Sequence, residues 1–279
     1  MGLFDWFSKT STTQEVEQVE KRVEDFSNFK AVTDYIYEKS GIIDLDKRAL
    51  TASRLQKHAL SQGLYTTQEL VDAMKNNIKF FQEILNIATV NETFFMRESK
   101  ELEWLIKYIK ESSKNLKILS MPSSSGEEVY SILLLMLENN IDLNRVEIKG
   151  YDINSEAVQN ARLGIYDEHS LHKIYKKTKD KYFKKLDSGA YEIDDVIKSY
   201  TQFEQKNIFE LPNENVKYDV ILSRNMFIYF DDEKRKIALD IIVNALKPDG
   251  IYIKGHADYI KEHDELENIE YGIYKKRIL

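Results

Sequence analysis

From Leu116 onward, short β-rich runs alternate with stretches of helical periodicity, and this alternation constrains the fold more than any other feature of the chain. Lys117–Ser120, Val146–Tyr151, Tyr218–Ser223 and Ile251–Lys254 are the β-rich runs. Glu127–Asn139, Ser155–Leu163 and Asp232–Leu246 repeat apolar residues at helical spacing, and Pro248-Asp249-Gly250 marks a turn. Strand and helix in alternation predict an α/β fold, a mostly parallel sheet with helices on its faces. Ahead of it, Phe29 to Leu85 carries helical spacing alone (Phe29, Val32, Tyr35, Ile36; then Leu70, Ala73, Met74, Ile78, Phe81), broken at Gly41 and Gly63.

The expected organisation is an N-terminal extension at 1–28, a small all-helical domain at 29–90 and the α/β domain at 91–279. In the extension, Leu3, Phe4, Trp6 and Phe7 cluster ahead of a charged stretch with Val16, Val19 and Val23 at helical spacing. That pattern suits a helix lying on the body, or a short docking or membrane-surface anchor. Residues 173–200 are rich in lysine and tyrosine with weak alternation, which suggests a small β insertion within about 173–204. The 279 residues include no cysteine, so disulfides and thiolate metal sites are excluded. The five histidines form no HxH or HxxxH pair, and no histidine-built metal site is expected. A net charge of −7 argues against broad nucleic-acid binding. With no apolar run near the ~18 residues of a membrane span and no leader in Met1 to Lys9, a cytoplasmic protein without stable membrane insertion is expected.

Four segments could carry chemistry. Ile118 to Tyr130 runs from a strand through Ser123, Ser124, Ser125 and Gly126 to Glu127 and Glu128, a small-residue loop that lets backbone approach a ligand. It matches neither GxGxxG nor a phosphate loop, and the glutamates favour a cationic ligand; a plain helix cap by Ser124 or Ser125 is the alternative. Asp152 follows the next strand, where an acidic side chain can accept hydrogen bonds from ribose hydroxyls, or simply start a turn. In Asn91 to Glu98, an arginine beside two phenylalanines can clamp a carboxylate, or sit at a helix boundary. Tyr218 to Asp231 ends an apolar strand in Arg224, Asn225 and an aromatic patch with Tyr229, which either face a ligand or fill an edge.

Taken in order, these segments resemble the chemotaxis receptor methyltransferases of the CheR family. The resemblance rests on Lys39-Ser-Gly-Ile-Ile, Arg54-Leu55, Asn91-Glu-Thr with Arg97-Glu, Ser120 through Ser131, and Asp152 with Ala161-Arg162 and Gly164-Ile-Tyr. Arg224-Asn225, Ile-Tyr-Phe-Asp, Leu246-Lys-Pro-Asp-Gly and Gly255-His256 complete it, from about Phe29 to the C-terminus. It implies a class I (Rossmann-like) methyltransferase domain with a small β insertion, preceded by a helical domain. The implied activity is methyl transfer from S-adenosylmethionine to glutamate carboxylates of bacterial chemotaxis receptors. Asn91, Thr93, Arg97, Glu128, Asp152, Asn207, Ile208, Ser223 and Arg224 would line the cofactor pocket. Arg97 and Tyr229 would face the reacting methyl group and the substrate carboxylate.

The sequence departs from that pattern at Met121-Pro122-Ser123, at Met96, at Asn154 and at Ala257-Asp258. Proline lacks an N–H, so one backbone donor is lost if the family uses it there. A glutamate of pKa about 4.3 is ionised at neutral pH, so the transfer needs no general base. Lys47, Arg48, Arg54 and Lys57 form a basic cluster, either a solvated face or a docking surface for acidic receptor helices. A catalytically silent cofactor-binding module, with Pro122 as its motive, and a methyltransferase of the same fold acting on another protein or a small molecule are the other expectations.

Overall fold

The computed structural model describes residues 22–43, 45, 48–89, 92–213 and 216–278. The aromatic cluster Leu3–Phe7 and most of the extension's charged stretch lie outside them, as do Lys47 and Asn91.

Four helices form the first unit: α1 (Lys30–Ser40), α2 (Ala49–Ser61), α3 (Thr67–Asn76) and α4 (Ile78–Ala88). Their boundaries follow from capping. Thr66 and Glu69 make a reciprocal capping box at α3, and Asn77 caps α4 through two backbone amides. α1 stops at Gly41, whose φ of +74° is left-handed, and an added Cβ there would lie 2.8 Å from the Phe209 ring. The apolar faces close on Val32, Ile36, Leu55, Leu70, Met74 and Ile84, a core separate from the rest.

The second unit begins with α5 (Ser99–Glu111) and β1 (Leu116–Ser120), then α6 (Glu127–Glu138), β2 (Val146–Asp152) and α7 (Ser155–Leu163). Next come β3 (Ile165–Tyr166), α8 (Lys176–Tyr182), β4 (Phe183–Lys185), β5 (Tyr191–Ile193) and α9 (Asp195–Lys198). The chain closes with β6 (Thr201–Gln205), β7 (Tyr218–Ser223), α10 (Asp232–Ala245), β8 (Leu246–Lys254), β9 (Leu266–Glu270) and β10 (Ile273–Lys276). The seven-stranded sheet runs β6-β2-β1-β7-β8-β10-β9, parallel except where β10 pairs antiparallel with β8 and β9. Side-chain alternation divides its core: Ile118, Val220, Ile251 and Ile253 pack on one face, while Leu119, Ile221 and Tyr252 pack on the other.

This is the class I α/β order. From β1 the chain winds outward to β2 and β6; β7 then starts the opposite half. The reversal between β1 and β7 opens a crevice at the carboxyl ends of the strands, where ligands of open α/β sheets bind. Between α7 and β6 the chain builds a separate antiparallel sheet, β3-β5-β4. The stretch expected as an insertion at 173–204 is thus shared between two sheets. β3 precedes it at Ile165, and Thr201–Gln205 is the edge strand of the large sheet.

The helical unit lies across that crevice. Ile43 donates its N–H to the Tyr229 carbonyl at 3.0 Å, Asn207 donates to Lys39 O at 2.9 Å, and Tyr37 donates its hydroxyl to Asp231 at 2.7 Å. On the other flank, Gln82 reaches Ile153 O at 2.9 Å and Asn86 reaches the Ser155 hydroxyl at 3.0 Å.

Candidate active site

The crevice holds a cavity of about 280 Å3, walled by loops after β1, β2, β6 and β7, by the turn ahead of α5, and by Ser40 and Ile42 of the helical unit. At its floor, Asp152 ends β2 and is buried. One carboxylate oxygen accepts the Ser124 N–H at 2.8 Å and the other accepts the Asn154 N–H at 2.8 Å. Burial nevertheless dominates and pushes its carboxyl up to about 6.

The loop after β1 wraps this carboxylate. Ser124 takes a left-handed φ of 48° to present its N–H, and Gly126 follows at +93°. A Cβ on Gly126 would lie 3.0 Å from both Ala161 and Phe203, so the close approach of loop to α7 and β6 needs glycine. The cap expected from Ser124 or Ser125 is not what forms: Gly126 occupies the N-cap of α6, and Ser125 donates its hydroxyl to the Glu127 carboxylate instead. The Ser123 and Ser124 hydroxyls are buried without a protein partner beside the cavity. The amides of Met121, Ser123 and Ser124 already bond to Leu222 O, Tyr151 O and Asp152. Proline at 122 therefore interrupts a stretch whose neighbouring donors are committed within the protein.

Arg224, at the end of β7, is buried between two carboxylates. It donates to Glu128 at 2.5 Å and to Glu98 at 3.2 and 3.3 Å, and also to the Arg97 carbonyl. The second oxygen of Glu128 accepts from the Ser120 hydroxyl at 2.8 Å. Burial opposes the guanidinium charge, but Glu128 and Glu98 hold its pKa above the ordinary value. Arg224 thus ties the turn before α5 to the sheet. That turn is unusual in its backbone: Met96 and Glu98, on either side of Arg97, both have left-handed φ, at 59° and 49°. The Arg97 side chain is 31% exposed, donates to Glu92 O at 2.7 Å, and stands 5.9 Å from the Phe94 ring centre.

Of the residues read from the sequence, Thr93, Arg97, Glu128, Asp152, Asn207, Ile208, Arg224 and Tyr229 come together around this one cavity. Asn207 spends both ends of its amide on the Lys39 carbonyl and the Phe209 N–H. Ser223 does not join them. On the strand it follows Ile221 into the sheet interior, where it is fully buried and absent from the cavity wall. Asn91 lies outside the described residues.

Two residues that the sequence reading named only within motifs, with no role, prove to brace the site. Asp258 is buried and accepts the N–H groups of Asn225 at 2.6 Å, Phe227 at 2.8 Å and Gly255 at 3.2 Å, fixing the loop that carries Tyr229. Glu98 braces Arg224 and takes the His256 N–H at 3.2 Å. The one signal for Asp258 is Gly255, where a Cβ would sit 2.6 Å from the Asn225 nitrogen.

A crevice at the strand ends, a buried carboxylate after the second strand, unpaired hydroxyls around it and no phosphate loop fit a nucleoside carrying a positive charge. This is the site of an S-adenosylmethionine-dependent methyltransferase. Residues 91–274 match the family described as CheR methyltransferase, SAM binding domain. A chemotaxis protein methyltransferase of Campylobacter jejuni is 35% identical over 246 residues, covering 87% of this chain and 93% of its own. Chemotaxis protein methyltransferase 2 of Vibrio cholerae is 33% identical, covering 84% and 85%. The Escherichia coli chemotaxis protein methyltransferase is 27% identical, covering 83% and 84%. The chain belongs to the CheR methyltransferase family.

Proposed function

We propose that this enzyme methylates glutamate side chains of bacterial chemotaxis receptors, in the cytoplasm, as the adaptation step of chemotactic signalling. The observation that carries the reading is the division of one cavity. Asp152 and Glu128 line it from the strand ends, Arg97 lines it from the turn before α5, and Tyr229 lines it where its carbonyl accepts the Ile43 N–H of the helical unit. Bound at the floor, S-adenosylmethionine supplies a methyl group on a positively charged sulfur. Asp152 accepts the ribose hydroxyls, with Thr93, Asn207 and Ile208 forming the surrounding wall. Arg97 draws in the substrate carboxylate, and the Tyr229 hydroxyl orients it. The pairing is one-sided, since a tight clamp would stabilise the ground state and slow the transfer.

In this reading residues 29–90 are the receptor-facing domain and 91–279 the catalytic one. On α2, Leu50 is 67% exposed and shares a stripe with exposed Arg54 and Lys57, at intervals of four and three residues. Arg48 stands 5.1 Å over the Tyr229 ring, linking this stripe to the cavity. Such a face suits an acidic amphipathic helix; Lys47 lies outside the described residues. No helix among the described residues is long and apolar enough to cross a membrane.

Incubation of the enzyme with methyl-labelled S-adenosylmethionine and chemoreceptor-bearing membranes tests the proposal. Label on receptor glutamates, released by mild base as expected of a methyl ester, supports it. Cofactor binding by calorimetry with no base-labile label would turn the reading towards a silent binding module.

A further inference from the structure

The lysine-rich segment between β3 and β4 has no part in the site as described, yet it touches the Phe94 ring of the cavity wall. Between residues 172 and 185 the chain carries seven lysines and one aspartate, although the whole protein has a net charge of −7. Lys173 places its Nζ 4.7 Å from the centre of the Phe94 ring, the same ring that Arg97 approaches at 5.9 Å. His172 packs on that ring at 4.8 Å. Phe94 and Arg97 belong to the cavity wall. Two cations therefore bracket one aromatic platform, one from the turn before α5 and one from the insertion. Lys176, Lys179 and Lys181 are paired with Asp180, Glu168 and Glu138. Among the described residues Lys173 and Lys177 have no carboxylate partner, and both are exposed beside Tyr175, which is 85% exposed.

We infer that Lys173, with Lys177 and Tyr175, forms a second lip of the substrate site that holds acidic residues of the protein substrate next to the methylated glutamate. The inference rests on the proposed function and adds to it. The helical unit supplies a cation at the Tyr229 ring and the insertion supplies one at the Phe94 ring, both in the cavity wall. An acidic helix lying across the cavity is then met by positive charge at both rings, while an uncharged or basic segment gains nothing from either. Exposed cations with no carboxylate partner of their own are available to pair with an acidic surface, and such solvent-exposed charge pairs suit transient contact.

The experiment compares Lys173→Glu and Lys173→Glu/Lys177→Glu with the parent, on a soluble chemoreceptor cytoplasmic fragment carrying its methylation helices. The readouts are KM for the fragment, kcat, and Kd for S-adenosylhomocysteine. KM is expected to rise roughly three- to tenfold, with kcat and cofactor Kd within twofold of the parent. Replacing an acidic residue beside the methylated glutamate by lysine should restore part of the loss to Lys173→Glu while impairing the parent. An unchanged KM overturns the inference, as does a loss of cofactor affinity, which would place Lys173 in the cofactor pocket. A defect seen only on anionic vesicles bearing intact receptor, and not on the soluble fragment, also overturns it in favour of a lipid contact. If the parent itself places no label on receptor glutamates, the proposed function fails first, and that outcome is distinct from a variant effect.

Discussion

Asp152 sits on two backbone amides, yet burial pushes its carboxyl up to about 6. In the proposed function ribose hydroxyls donate to the ionised form, so binding favours proton release. The sign is therefore fixed: cofactor affinity is full above about pH 7, where the group is ionised, and falls as pH drops through 6, because a proton must then be removed to bind. Calorimetric titration with S-adenosylhomocysteine should show Kd nearly flat from pH 7 to 8 and weakening by up to about tenfold per unit below 6. Asp152→Asn should bind weakly with no such slope. A parent whose affinity is constant from pH 5 to 8 would place the ribose elsewhere. Legibility at this scale depends on where a residue stands. The place of Asp152 at the cavity could be read because it ends an apolar strand. Asp258 could not, because its importance comes from three amides contributed by the Asn225–Phe227 loop and Gly255, which the linear sequence does not bring together. Ser223 shares the strand end with Arg224 but is fully buried and does not line the cavity, a difference that side-chain alternation sets.

Elements that are buried on both faces announced themselves. β1 and β7 are near-continuous apolar runs, as parallel strands covered by helices must be. β6 reads Thr-Gln-Phe-Glu-Gln, with Phe203 alone buried, because it lies at the sheet edge and one side of it meets water. Its polarity made it look like part of the insertion. The helix α2 is amphipathic in the ordinary way, but its outward stripe of Leu50, Arg54 and Lys57 has no internal purpose. If that stripe receives an acidic helix, Arg54→Glu/Lys57→Glu should lower receptor methylation several-fold at low ionic strength and leave cofactor affinity unchanged. Raising salt should slow the parent far more than the variant, since screening removes an attraction the variant already lacks. Equal salt dependence in both would move the docking surface off α2.

At the scale of the molecule, two cores are joined over one crevice, and the helical unit completes the cavity with Ser40 and Ile42. The composition of each half was legible, since one shows helical period alone and the other alternates; their packing was not, because it depends on single polar contacts such as Tyr37 to Asp231. The arrangement puts Arg97 on a turn with two left-handed residues, held by Arg224 through Glu98 and the Arg97 carbonyl. Backbone in that region is costly and persists where surrounding contacts enforce it, often where a side chain must be presented. The central claim is that Arg97 meets the substrate carboxylate while the cofactor is held mainly by other groups. Arg97→Ala tests it directly, with methyl transfer to receptor and Kd for S-adenosylhomocysteine measured on the same preparation. Transfer should fall on the order of 100-fold, the scale of lost positioning, while Kd stays within about fivefold of the parent. Transfer at the parent rate would contradict the account.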